Sequence, residues 1–76
     1  MRTQDQMLAR FRREATTNTG GLMHTIRCLQ TIRTEARTFA TQFAAPDRIA
    51  DDLAGIDAAY RTVLAELSPK PEGVPA

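Results

Sequence analysis

The sequence predicts an all-α protein. It consists of a long antiparallel helical hairpin, about 22–44 and 46–67, with a short N-terminal helix, about 3–15, packed across it. Three observations carry this prediction. Ile49, Leu53, Ile56, Tyr60, Val63 and Leu67 recur at spacings of 4, 3, 4, 3 and 4, an a/d seam that no strand could place on one face. Leu22, Ile26, Leu29, Ala36, Ala40 and Phe43 follow the same logic, with Arg33 at the missing seam position. Only Ala44-Ala45-Pro46 lies between the two seams, and so short a connection folds consecutive helices back antiparallel.

The first helix opens with Thr3 and Gln6, whose T-x-x-Q spacing suits a capping box that satisfies two free N–H groups reciprocally. Met7, Leu8, Phe11 and Ala15 supply its apolar face. Residues 16–21 are a polar loop, and Thr19-Gly20-Gly21 reads as the turn into the second helix. Ile32 and Phe39, seven residues apart, broaden the stripe of that helix, as suits a helix with two neighbours. Pro46 fits the first turn of the third helix, where its missing N–H is not needed. Asp47, Asp51 and Asp52 favour the positive end of that helix's dipole. Gly55 costs about 1 kcal/mol against alanine inside a helix; it is either tolerated or marks a close neighbour. Ser68-Pro69 closes the third helix, because a residue before proline is pushed out of the α region. Three of the four prolines lie in residues 68–76, which are expected to form a mobile tail beyond one domain over 1–67.

Composition bounds the function. Seventy-six residues make one small domain. A 42% hydrophobic content with a net charge of +1 is too apolar for a disordered chain. No apolar run approaches the roughly 18–20 residues that span a bilayer, so no membrane role is expected. The N-terminal stretch lacks the apolar core of a signal peptide, and a lone cysteine fits a reducing, cytoplasmic setting. A core this small is marginal, and a homodimer is one way to complete it. The +1 is itself a cancellation. Residues 1–45 carry seven arginines against three acids, and residues 46–76 carry three bases against six acids.

The catalytic inventory is thin. His24 and Cys28 are the sole histidine and cysteine, four apart on one helix, and provide only half of a tetrahedral zinc site. A surface imidazole and a half-buried thiol account for them as well. Asp47/Asp51 and Asp52/Asp57 form carboxylate pairs, but a solvated helix face explains them without acid–base work. No glycine-rich phosphate loop follows a strand. The reading is therefore of a non-enzyme without cofactor or metal.

The arginines are more telling, with Arg10, Arg12 and Arg13 clustered and Arg27, Arg33 and Arg37 on the second helix. Arginine favours forked recognition of carboxylate or phosphate, so a nucleic-acid-binding regulator is the alternative reading. Against it stand the near-neutral total, the lack of interleaved aromatics and the length of the second helix. The arginines can equally pair with the acidic third helix. Arg33 at its seam position either snorkels to the edge of the packing or sets register or partner choice. Thr31, Thr34, Thr38 and Thr41 line the outward side of the second helix, a hydrogen-bonding face open to docking or merely solvated. Apolar residues off the seams must also bury somewhere: Met7, Leu8 and Phe11, with Ile32, Phe39 and Leu64. They pack together in a three-helix monomer, or form a patch for a partner helix or a second copy.

In size and plan, with seams over Leu22–Phe43 and Ile49–Leu67, the chain resembles the small helical antiactivators that sequester bacterial transcription activators. The resemblance covers the overall plan of residues 3–67 and brings no family site residues with it; phage anti-defence proteins share this size. It implies a bacterial, cytoplasmic regulator or inhibitor that occludes a surface on a larger client protein. On that reading Met7, Leu8, Phe11, Ile32 and Phe39 are the apolar anchors, and Arg12, Arg13, Arg33 and Arg37 the charged rim. A dimerisation or docking module is a third reading.

Overall fold

The computed structural model describes residues 3–67 as three packed helices: α1 (Thr3–Thr17), α2 (Leu22–Phe43) and α3 (Ile49–Leu67). No strand occurs among the described residues. The expected tail over 68–76 and the first two residues of the 1–67 domain lie outside them.

Two boundaries differ from the sequence reading for identifiable reasons. Pro46 does not open α3. The chain is extended at Ala44 (φ −71°, ψ 151°), and the Arg48 N–H then closes a turn on the Ala45 carbonyl at 2.8 Å. The Asp52 N–H donates to the Arg48 carbonyl at 2.9 Å, so regular helix starts at Ile49. At the other end, α1 runs two residues further than expected, to Thr17. Asn18 closes it by donating its N–H to the Glu14 carbonyl, and its side-chain oxygen accepts the Gly20 N–H at 2.9 Å. Gly21 then enters α2 at φ 93°, in the region that a side chain disfavours. The capping box is also revised. Thr3 already lies within α1, and its hydroxyl donates to Asp52 Oδ1 of α3 at 2.9 Å.

Pairs between helices give their directions. Thr3 meets Asp52 and Arg12 meets Glu66, so α1 and α3 run parallel. Arg37 meets Asp57 while Arg33 meets Tyr60, so α2 runs against α3. The most extensive packing is between α1 and α3, and the least is between α1 and α2. Gly55 explains part of that intimacy. A Cβ built there would stand 3.2 Å from the Gln4 backbone nitrogen and 3.5 Å from its Cα. The glycine marks the point where α1 comes closest to α3.

The core follows the two seams and the α1 face. It comprises Met7 and Phe11 from α1, Leu29, Ile32 and Ala40 from α2, and Ile56, Ala59, Tyr60 and Val63 from α3. Phe11, Leu29, Ile56 and Val63 are the largest side chains wholly removed from water. Leu8, Ala15, Ala36, Leu53, Leu64 and Leu67 pack around them. Thr25 is buried as well, and its hydroxyl donates to the Gly21 carbonyl at 2.9 Å, so no polar group is stranded there.

At about 1.5 Å per residue, α2 is about 33 Å long, α3 about 28 Å and α1 about 22 Å. The terminal seam residues of the longest helix, Leu22 and Phe43, are exposed.

Two stability measurements check this packing. Phe11→Ala is expected to remove about 3–5 kcal/mol in urea unfolding, comparable to the whole stability of a small domain. Gly55→Ala should stay within about 1 kcal/mol of the parent, since gained helix propensity offsets a shift of a few tenths of an ångström. Gly55→Leu should cost about 1–3 kcal/mol by forcing α1 away; a more stable leucine variant would mean that the close approach at Gln4 is not limiting.

Candidate partner-binding surface

The nine residues proposed from sequence separate into three groups. Met7, Phe11 and Ile32 lie in the core, and Leu8 packs half-buried against it. These four hold the three helices together, because α1 folds back and buries its apolar face on α3. They present no continuous anchor on the outside. Phe39 does the opposite. It is 65% exposed, and Phe43, one turn on, is 68% exposed. The two rings lie side by side with centroids 4.8 Å apart and planes tilted by 42°, within the range of favourable aromatic pairing.

Beside this pair is a groove of about 510 Å³ between the start of α1 and the second half of α2. Met7, Ala36, Phe39, Ala40, Phe43 and Ile56 make its apolar lining. Arg10 and Glu35 stand at the edge, both exposed and without an ion-pair partner among the described residues. Ile32 and Phe39 share a stripe on the helical wheel, yet one is inside and the other outside. Between them the α1 cover thins to Thr3, Gln6, Met7 and Arg10, and the groove remains open. Leu22 and Met23 form a second exposed apolar spot at the start of α2, far along the helix from the aromatic pair.

The arginines form the third group. Arg12 grips Glu66 of α3 with both ends of its fork, Nε to Oε1 at 3.2 Å and a terminal nitrogen to Oε2 at 2.6 Å. This hydrogen bonding, aided by charge, holds the Arg12 guanidinium above its ordinary pKa and the Glu66 carboxyl below its own. Arg37 donates to Asp57 of α3 at 2.5 Å. Two of the four expected rim arginines are thus committed to contacts inside the chain. Arg13 is exposed and without an ion-pair partner among the described residues. Arg33 lies half-buried, its guanidinium carbon 4.5 Å from the centre of the Tyr60 ring, a cation–π stack. Its Nε is enclosed and without an acceptor. It lies over the core aromatic and also lines the groove on this flank.

On this flank of α2, Arg33, Thr34, Arg37, Thr38, Thr41 and Gln42 line a second groove, of about 390 Å³. The threonines of α2 are not equivalent. Thr31 and Thr41 donate to carbonyls one turn back, at 3.1 Å and 2.9 Å. Neither Thr34 nor Thr38 has a bonded partner among the described residues.

Cys28 Sγ lies 3.7 Å from His24 Nε2 and 3.4 Å from Asn18 Nδ2, so the four-residue spacing does bring thiol and imidazole together. Among the described residues no group of three His, Cys, Asp or Glu side chains converges on one point. Of the four carboxylates considered for acid–base work, Asp52 is held by Thr3 and Asp57 by Arg37, whereas Asp47 and Asp51 are exposed. No described helix is long and apolar enough to cross a membrane. Comparison with family models, with curated proteins and with solved structures returns no match to this chain.

Phe43, the main addition to the candidate surface, was treated from sequence as a seam residue. Periodicity alone gives no signal for its exposure, because Phe43 keeps the seam spacing at the last residue of α2.

The Arg12–Glu66 fork makes a pH-dependent contribution of definite sign. Glu66 has a lowered pKa in the fold, so its contribution is present above the unfolded glutamate range and lost as pH falls through the folded value. Glu66→Gln should therefore lower the melting temperature near neutral pH and converge with the parent in acid. Equal melting temperatures at every pH would show that this exposed pair is energetically silent.

Proposed function

We propose that this chain is a small, non-enzymatic, protein-binding regulator or inhibitor that occludes a surface on a larger protein in the cytoplasm. Its mode is that of an antiactivator, and a bacterial transcription activator is the kind of client it fits. The observation that carries this reading is the Phe39–Phe43 pair, two adjacent and exposed aromatic rings on α2 beside an apolar groove. Aromatic side chains lose little entropy when they dock, and they dominate the energetics of interfaces. A groove of this kind takes the apolar face of a partner helix.

On this reading the anchors are Phe39 and Phe43, with Arg10, Arg13 and Glu35 as polar surroundings. Met7, Phe11 and Ile32 act indirectly, by keeping α2 rigid. The helical hairpin of α2 and α3, braced by α1, is the scaffold that fixes the pair in space. A second copy is the main competing occupant, since an exposed aromatic pair on a small domain also suits a homodimer. Nucleic acid ranks behind both, because Arg12 and Arg37 already spend their charge on Glu66 and Asp57.

The test is a Phe39→Asp/Phe43→Asp double variant, used in capture from extract of the native host. The helical signal and urea midpoint should stay close to the parent, because substitutions at exposed sites cost about 0.5 kcal/mol or less. Capture of a discrete protein should fall by about thirtyfold or more, as expected for two lost anchors of at least about 2 kcal/mol together. Unchanged capture rejects the aromatic pair as the contact. Recovery of nucleic acid alone, with a steep loss on raising salt, selects the competing reading. Sedimentation of the parent and variant over a concentration range isolates self-association.

A further inference from the structure

A second groove lies on the other flank of α2. The guanidinium of Arg33 is held half-buried against Tyr60, with its Nε enclosed and unbonded. Among the described residues no carboxylate pairs with it. A partly buried cation without a counter-ion is unfavourable, and stacking on an aromatic face offsets that only in part. Among the described residues, acids are placed on Arg12 and Arg37 and none on Arg33.

The surroundings fit an incoming anion. The groove of about 390 Å³ at Arg33 is lined by Thr34, Arg37, Thr38, Thr41 and Gln42, with no acidic side chain among them. Thr34 and Thr38, one turn apart and both exposed, donate to no group among the described residues, whereas Thr41 donates its hydroxyl proton to the Arg37 carbonyl. Arg37, fixed by Asp57, adds a second guanidinium already oriented by its pair. A forked donor immobilised on a ring, with two hydroxyl donors beside it, is the geometry that binds a carboxylate by charge-assisted hydrogen bonds.

We propose that this groove recognises a carboxylate side chain from an acidic segment of a partner protein, with Arg33 as the primary contact and Thr34 and Thr38 as further donors. The proposal rests on the protein-binding reading but uses residues separate from the aromatic pair. A protein carboxylate fits better than a nucleic-acid backbone. The groove presents one uncompensated cation, whereas a phosphate chain is held by an array of them.

The experiment is an amide NMR titration of the full chain with a synthetic peptide of alternating glutamate and alanine. The matched glutamine–alanine peptide and a single-stranded oligonucleotide are added in parallel at the same ionic strength. The acidic peptide should shift amides within residues 33–42, and the glutamine peptide should not. Arg33→Gln should weaken the acidic peptide about tenfold or more. Thr34→Val/Thr38→Val, which removes the two hydroxyls while keeping shape and leaving Tyr60 untouched, should weaken it severalfold. Phe39→Asp/Phe43→Asp should bind the peptide as the parent does, so failure of the aromatic surface and failure of this groove are distinguishable. Absence of shifts over 33–42, equal binding by Arg33→Gln, or tighter binding of the oligonucleotide at the same residues would each overturn the proposal.

Discussion

Tyr60 is the joint on which the three helices turn. Its ring, buried on α3, receives the edge of Phe11 from α1, with centroids 5.9 Å apart and planes at 69°. Arg33 of α2 also lies over it, at 4.5 Å from the centroid. One side chain thereby fixes the position of both other helices relative to α3. Everything on the surface inherits its placement from this joint. The aromatic pair projects from one flank of α2 and the arginine–threonine groove from the other, and the rotation of α2 about its axis decides which flank is which. A tyrosine at the centre of a small core also explains why an arginine is tolerated at a seam position. The aromatic face receives a cation where an aliphatic neighbour would leave it wholly uncompensated.

Much of this architecture was legible in the residue pattern. The α3 seam predicted Ile56, Tyr60 and Val63 as core, and the α2 seam predicted Leu29 and Ala40. Periodicity carries this information because burial on one side of a helix repeats with the helical turn. What it does not carry is where a seam runs out of neighbours. Leu22 and Phe43 satisfy the spacing as well as Leu29 does, yet at the two ends of α2 they are exposed. Gly55 illustrates a milder limit. Sequence left open whether it was tolerated or required, and the backbone of Gln4 at 3.2 Å from its notional Cβ is a property of helix crossing rather than of either helix alone.

The candidate site was legible in kind more than in place. Apolar anchors beside arginines were expected, but Met7, Phe11 and Ile32 were drawn inward together with the helix that carries them. The charge asymmetry between the two halves has an equally concrete outcome. Arginines of the basic half reach acids of the acidic half across helix boundaries, Arg12 to Glu66 and Arg37 to Asp57. Composition counts those four charges as surface character, whereas the fold uses them as lateral ties. Arg13 and Arg33 are in no ion pair among the described residues.

Threonine is abundant here, with ten in 76 residues, and several of its hydroxyls are turned homeward. Thr16, Thr17, Thr31 and Thr41 each donate to the carbonyl four residues earlier. A hydroxyl locked in that way has no proton left for water, and the rotamer that makes the bond leaves the γ-methyl as the group that solvent meets. Mean hydropathy therefore overstates how wet these helix faces are. Stretches that composition scores as polar behave as a methyl-studded skin, on which the few threonines with an uncommitted proton stand out as the hydrated spots.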